Sequence, residues 1–315
     1  MKTSIFKFAI CAATLLTSSC VLLNIRANAM HLSQKSNNHV IFIPTMHTLP
    51  NAMPPATIAT PTPINVITTA PTPTIQNVGN SGTVITGCAQ TGFINVTQNA
   101  KNTAYAAPSL KVTCSGSNMT IESNGIPEFE FVQTTPNRLI AQNYRWVLPI
   151  NPQRATTTTA VPLGGVSAIA VDGLPIFGPT EAPRDGYKDP YLQGILDFCN
   201  GHTAQRGDYH FHARPGCLNI NFNKPGTIVG YALDGFPILT NYVCADANCT
   251  STKKLKSSWQ KTNPNVSNAW QQHSYVAGSG DLDQCNGATQ PNGSYAYYAT
   301  DSFPYFMGCY MGTKQ

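Results

Sequence analysis

The sequence predicts an all-β protein: mainly short strands with one or two short helices, forming a disulfide-stapled sandwich or distorted barrel built from repeated hairpins. Three observations carry this. Asn-Gly or Asp-Gly pairs lie between β-branched and apolar residues at Asn124-Gly125, Asp172-Gly173, Asp234-Gly235 and Asn292-Gly293. Such pairs suit type I′ hairpin turns, which need two residues of positive φ. Of ten cysteines, Cys11 and Cys20 fall in a leader and eight remain, an even number that fits a disulfide framework in an exported chain. Only 10% of the 315 residues are charged, against roughly 25% in an average globular domain, while Thr, Ser, Asn, Gly and Pro are abundant.

At the N-terminus, Lys2 and Lys7 precede an apolar run over residues 8–23, and Ala27-Asn28-Ala29 supplies a small-x-small cleavage site. This pattern predicts a signal peptide over residues 1–29, cleaved near Ala29, and a secreted or periplasmic product. Lipoprotein processing at Cys20 is the alternative, weakened because Leu16-Thr17-Ser18-Ser19 lacks an aliphatic residue three before the cysteine. No later apolar stretch is long enough to span a bilayer, so no transmembrane helix is expected in the mature protein. A net charge of +5 is spread without a Lys/Arg run, which gives nucleic-acid binding no support.

Residues 30–81 read as a Thr/Pro-rich disordered linker, with Pro61-Thr62-Pro63 and Pro71-Thr72-Pro73 and almost no charge. Met30-His31, His39 and Met46-His47 offer copper ligands there, but scattered spacer residues explain them as well. The folded domain is expected over 82–315. Pairing of sequence neighbours gives Cys88 with Cys114, Cys199 with Cys217, Cys244 with Cys249, and Cys285 with Cys309. A zinc cluster of Cys199, His202, His210, His212 and Cys217 is the competing use of the second pair. An oxidising compartment favours the bridge.

Two of the hairpin signals extend further. Ala170-Val171-Asp172-Gly173-Leu174-Pro175-Ile176 echoes Ala232-Leu233-Asp234-Gly235-Phe236-Pro237-Ile238, which suggests repeated units. One helix is expected over residues 190–198, where Leu192, Ile195 and Leu196 fall at i, i+3 and i+4 and Pro190 suits a first turn. It would deliver Cys199 and His202 to a site.

The chemistry centres on Gly207-Asp208-Tyr209-His210-Phe211-His212. Read as a strand after a glycine turn, it places His210 and His212 on one face, ~7 Å apart at Cα, and Tyr209 and Phe211 on the other. With His202 upstream, three imidazoles can converge on one Cu or Zn ion. Gly293-Ser294-Tyr295-Ala296-Tyr297-Tyr298 resembles this strand without its histidines, so the backbone does not require them. A base or acid for turnover has only indirect candidates. Asp208 is expected to leave on the face opposite His210, and Asp197 and His273 would act only through folding. Asp281 and Asp283 could supply oxygens to calcium, although the full loop pattern is absent. Tyr295, Tyr297 and Tyr298 could form a sugar-stacking strip.

Tyr209-His210-Phe211-His212 resembles the Tyr-His-Tyr-His signature of YHYH-domain proteins, with Phe211 replacing the second tyrosine. Cys199-Asn200-Gly201-His202, Pro215-Gly216-Cys217-Leu218, the hairpin over 230–238 and the acidic segment over 275–287 extend the similarity to residues 110–312. The resemblance implies an exported domain and no particular activity. The residues therefore favour a metal-binding protein without assigned turnover. A metal-dependent hydrolase or oxidoreductase using the same histidines is the first alternative. A carbohydrate- or surface-binding module is the second.

Overall fold

The computed structural model describes residues 82–88 and 91–314. The expected leader, Cys20, and the Thr/Pro-rich segment with His31, His39 and His47 lie outside these residues. Among the described residues no helix is long and apolar enough to cross a membrane.

In chain order the strands are β1 (Gly82–Thr86), β2 (Ser109–Ser115), β3 (Asn118–Ser123), β4 (Tyr144–Pro149), β5 (Arg154–Ala160), β6 (Val166–Ala170), β7 (Pro175–Phe177), β8 (Gly201–Thr203) and β9 (Tyr209–Phe211). There follow β10 (Ile228–Ala232), β11 (Pro237–Thr240), β12 (Tyr242–Cys244), β13 (Thr252–Lys254), β14 (Trp259–Lys261), β15 (His273–Tyr275), β16 (Gly287–Thr289), β17 (Tyr295–Ala299) and β18 (Cys309–Gly312). Strands β1 to β4 form one sheet, and eight others form a second in the order β8-β9-β7-β6-β10-β11-β17-β16. Three two-stranded pairs complete the set: β12 with β13, β14 with β15, and β5 with β18. The large sheet ends at β8 and β16, so the distorted barrel is excluded and an open arrangement stands.

Alternation in β2, β3 and β4 turns Leu110, Val112, Met119, Ile121 and Leu148 to one side, where they pack on Ile169 at the middle of the large sheet. The opposite face of the large sheet carries the main core, including Ala168, Ile176, Tyr209, Phe211, Ile238 and Tyr297. Burying these side chains removes apolar area at about 25 cal/mol per Å2.

The large sheet is two copies of one unit about a local two-fold. Central strands β6 and β10 are antiparallel, with Ala168 opposite Ala232, Ile169 opposite Tyr231, and Ala170 opposite Gly230. From β6 a hairpin leads to β7, which pairs in parallel with β9, and β9 pairs antiparallel with β8. From β10 the same steps give β11, then parallel β17, then antiparallel β16. Ile176 stands beside Phe211 as Ile238 stands beside Tyr297.

Four hairpins share one turn. Gly173 N–H donates to Ala170 O while Ala170 N–H donates to Leu174 O, and the same pair of bonds recurs around Gly207, Gly235 and Gly293. Only the glycine of each turn has positive φ. These are three-residue loops closed by a glycine bulge, not the two-residue type I′ turns expected. Asn124-Gly125 forms no hairpin at all. The Asn124 side chain accepts from Ser109 N–H and Ile126 N–H, which steers the chain into the long connection before β4.

The expected helix shrinks to α1 (Pro190–Gln193). Asp189 caps it by accepting from Tyr191 and Leu192 N–H, and Gly194 stops it at φ 66°. Leu192 within it, and Ile195 and Phe198 beyond it, are exposed. A second short helix, α2 (Ala269–Gln272), is capped by Asn268. The four disulfides join the sequence neighbours: Cys88–Cys114, Cys199–Cys217, Cys244–Cys249 and Cys285–Cys309.

Candidate metal centre

A turn built around Asp197, not a helix, presents the first histidine. Asp197 Oδ1 accepts from Cys199 N–H and Gly201 N–H, and Tyr209 Oη donates to Asp197 Oδ2 at 2.8 Å. Asn200 bends the chain at φ 63° and the Cys199–Cys217 bridge pins it. Strand β8 then pairs with β9 so that His202 lies opposite His210. Tyr209 and Phe211 go into the core, and the imidazoles emerge on the other face.

His202, His210 and His212 are all buried and offer ligand atoms within 4.8 Å of one another. The Nε2 atoms of His210 and His212 are 2.9 Å apart, and those of His212 and His202 are 3.2 Å apart. Two tautomers are fixed by geometry. His210 Nδ1 donates to Asp208 O at 3.1 Å and His212 Nδ1 donates to Gly178 O at 2.8 Å, because a carbonyl can only accept. Their Nε2 lone pairs therefore face each other. Phe177 stacks on the His210 ring with centroids 3.8 Å apart and fixes its plane.

Burial, with the charge of His202 added, holds His210 down to about 3, against the opposing pull of the Asp208 carbonyl. His212 is held well below the usual histidine range by burial and by His210 and His202. Both are neutral at pH 7, the form that ligates metals. Glu181, which the sequence reading missed, places Oε1 3.1 Å from His202 Nε2 and 4.0 Å from His212 Nε2. Burial pushes its carboxyl up, but contact with His202 and the charges of His212 and His202 outweigh this and hold it below the usual range.

The centre borders a cavity of about 1200 Å3, lined among others by Thr135, Asn137, Phe177, Glu181 and Asp208. The expected orientation of Asp208 is corrected. It lies two residues before His210, and alternation gives it the face of His210, not the opposite one.

The remaining candidates do not join the site. Asp197 is occupied in its turn. His273 stacks on Phe303, with centroids 4.0 Å apart, and donates Nδ1–H to Ala269 O. Cys199 and Cys217 are bridged and unavailable to zinc. Asp281 accepts from Lys253 and from Lys256 N–H, while Asp283 accepts from Cys285 N–H, Gly287 N–H and Tyr295 Oη. Their oxygens accept from protein donors, and neither residue joins the histidine centre. Tyr295, Tyr297 and Tyr298 are buried, so they form no sugar-stacking strip.

A family model described as YHYH protein matches residues 145–312, slightly more than half of the chain and less than the 110–312 that the motifs suggested. No curated protein and no solved structure matches it. The match spans the histidine centre and both halves of the large sheet, so the chain belongs to the YHYH protein family, with Phe211 at the second tyrosine of the signature.

Proposed function

We propose that this is an exported protein that binds a transition metal, copper or zinc, through His202, His210 and His212, with no turnover assigned. One observation carries the proposal. Carbonyl contacts fix two tautomers so that buried, neutral Nε2 lone pairs converge with nothing to donate between them. Facing lone pairs at 2.9 Å repel unless a cation lies between them. A tetrahedral ion with metal–nitrogen bonds of about 2.0–2.1 Å holds its ligands roughly 3.3 Å apart, close to the spacings found here. The leader pattern and four disulfides support export. Turnover by a hydrolase or oxidoreductase is the second reading, favoured by the cavity above the centre. The glycan-binding alternative is left without its aromatic strip.

The test is metal content. Untagged mature protein, purified from an oxidising compartment, is expected to carry or take up about one equivalent of Cu or Zn per chain. A folded His210→Ala/His212→Ala variant is expected to take up none. Folded parent protein that refuses Cu, Zn and Ni on titration overturns the proposal.

A further inference from the structure

The two-fold provides a comparison inside one molecule. Aligned without gaps from the shared Asp-Gly-x-Pro-Ile, Phe177 corresponds to Leu239 and Glu181 to Val243. Aligned from the shared Cys-Asn-Gly, His202 corresponds to Ala288, His210 to Ala296 and His212 to Tyr298. The frame around them is the same in both wings. Asp283 repeats Asp197 in accepting from a cysteine N–H, a glycine N–H and a tyrosine hydroxyl. Asn286, at φ 64°, repeats Asn200. Where the first wing has Phe177, Glu181 and three histidines, the second has an apolar cluster that contains Leu239, Val243, Ala288, Ala296 and Tyr298.

We infer that Glu181 is the fourth ligand of the centre, making it a three-histidine, one-carboxylate site for a divalent ion and not for Cu(I). This rests on the metal-binding proposal above. Two independent observations point the same way. All four counterparts, Val243 included, meet in one apolar cluster in the second wing. The four polar residues of the first wing therefore differ from it as a set, and Glu181 varies with the histidines. In the first wing, Glu181 Oε1 is shut off from solvent with no well-aligned donor; its neighbours are the ring nitrogens His202 Nε2 at 3.1 Å and His212 Nε2 at 4.0 Å. A buried carboxylate oxygen without a donor is costly, and a bound cation removes that cost. The oxygen ligand sets the class of metal. Imidazole with carboxylate suits Zn(II), Fe(II), Ni(II) and Cu(II), whereas Cu(I) prefers soft sulfur or purely neutral donors. The carboxylate also removes one of the ion's two charges, which neutral histidines alone cannot do.

The experiment titrates the parent, Glu181→Gln and Glu181→Asp, each checked for cooperative unfolding, with Zn(II) and separately with ascorbate-generated Cu(I). Loss of the carboxylate is expected to weaken Zn(II) by about 100-fold, the upper end of what even outer partners cost. Cu(I) affinity should be unchanged or stronger, and Glu181→Asp should recover part of the Zn(II) affinity. Zn(II) binding by Glu181→Gln within two-fold of the parent overturns the fourth-ligand inference and leaves the three-histidine site standing. Parent protein that binds neither ion overturns the metal proposal itself. Glu181→Gln that fails to fold passes the decision to Glu181→Asp, where Zn(II) affinity equal to the parent's with an unchanged Zn(II)-to-Cu(I) ratio sinks the inference.

Discussion

Phe211→Tyr is expected to raise the melting temperature by about 3–6 °C at pH 8 and by clearly less at pH 5. The reason is an orphaned carboxylate. In the second wing Asp234 Oδ2 accepts from Tyr297 Oη at 2.6 Å and from Gly312 N–H at 2.9 Å. Its counterpart Asp172 is as deeply buried, yet Asp172 Oδ2 has no partner. Phe211 occupies the place of Tyr297 and brings no hydroxyl. Burial therefore pushes the Asp172 carboxyl up to about 7, outweighing the Leu174 N–H, and Glu128 adds to the rise. The sign follows. The folded state holds this proton more tightly than the unfolded chain does, so the contribution of Asp172 to parent stability falls as pH rises from about 4 to about 7 and then levels off. A hydroxyl restored at 211 donates to the ionised carboxylate, a bond of about 1.5–3 kcal/mol for a charged acceptor. The gain is therefore largest where Asp172 is ionised. Paired unfolding curves at pH 5 and pH 8 decide it, because titrations common to parent and variant cancel. Equal shifts at both pH values, or a loss at both from overpacking the ring, would refute the account.

Gly201→Ala should be destabilised by about 3–5 kcal/mol and should lose the metal binding proposed above. A Cβ at Gly201 would stand 2.3 Å from Tyr209 Oη and 2.7 Å from His210 O. Neither can yield cheaply. The hydroxyl is tied to Asp197, and the carbonyl belongs to β9, which carries His210 and leads directly into His212. Overpacking typically costs about 1–3 kcal/mol and loss of a hydrogen bond to a carboxylate about 1.5–3 kcal/mol. The molecule contains its own control. A Cβ at Gly287 would meet Tyr295 Oη at 2.1 Å and Ala296 O at 2.7 Å. Gly287→Ala should thus lose a similar amount of stability while keeping its metal, since no histidine rides on β17. Chemical unfolding and zinc titration on both variants test this. Metal lost from both to the same degree would mean that the centre depends on global stability and not on local register.

The sequence showed the histidine cluster because strand alternation is strict: two residues apart is one face, whatever the rest of the chain does. The same rule should have placed Asp208 with His210, and misapplying it put that residue on the wrong face. The disulfides followed from neighbour pairing. The turns were recognised by their glycines but given the wrong type, since a dipeptide does not reveal whether one or two residues take positive φ. The helix over 190–198 failed because Gly194 takes the left-handed conformation, which outweighs the spacing of Leu192, Ile195 and Leu196. Glu181 was hidden because nothing local marks it. The shared Asp-Gly-x-Pro-Ile aligns it with Val243, but only the fold, which seats Val243 in an apolar cluster and Glu181 beside two histidines, makes a charged residue there conspicuous.

The outermost position of β8 bears on how fast an ion held there, as proposed, would trade with solution. His202 sits on a three-residue strand bonded to β9 alone. Its outer side is held by side chains, with Thr135 Oγ1 and Asn137 Nδ2 donating to Thr203 O. Local opening costs less than global unfolding, and each opening of β8 would take one imidazole from the set. Dissociation should then keep time with the fraying of β8. Asn137→Ala, which loosens that clasp without touching a ligand, should shorten the ion's residence while leaving the melting temperature nearly unmoved. Chelator-triggered release followed in time would measure it.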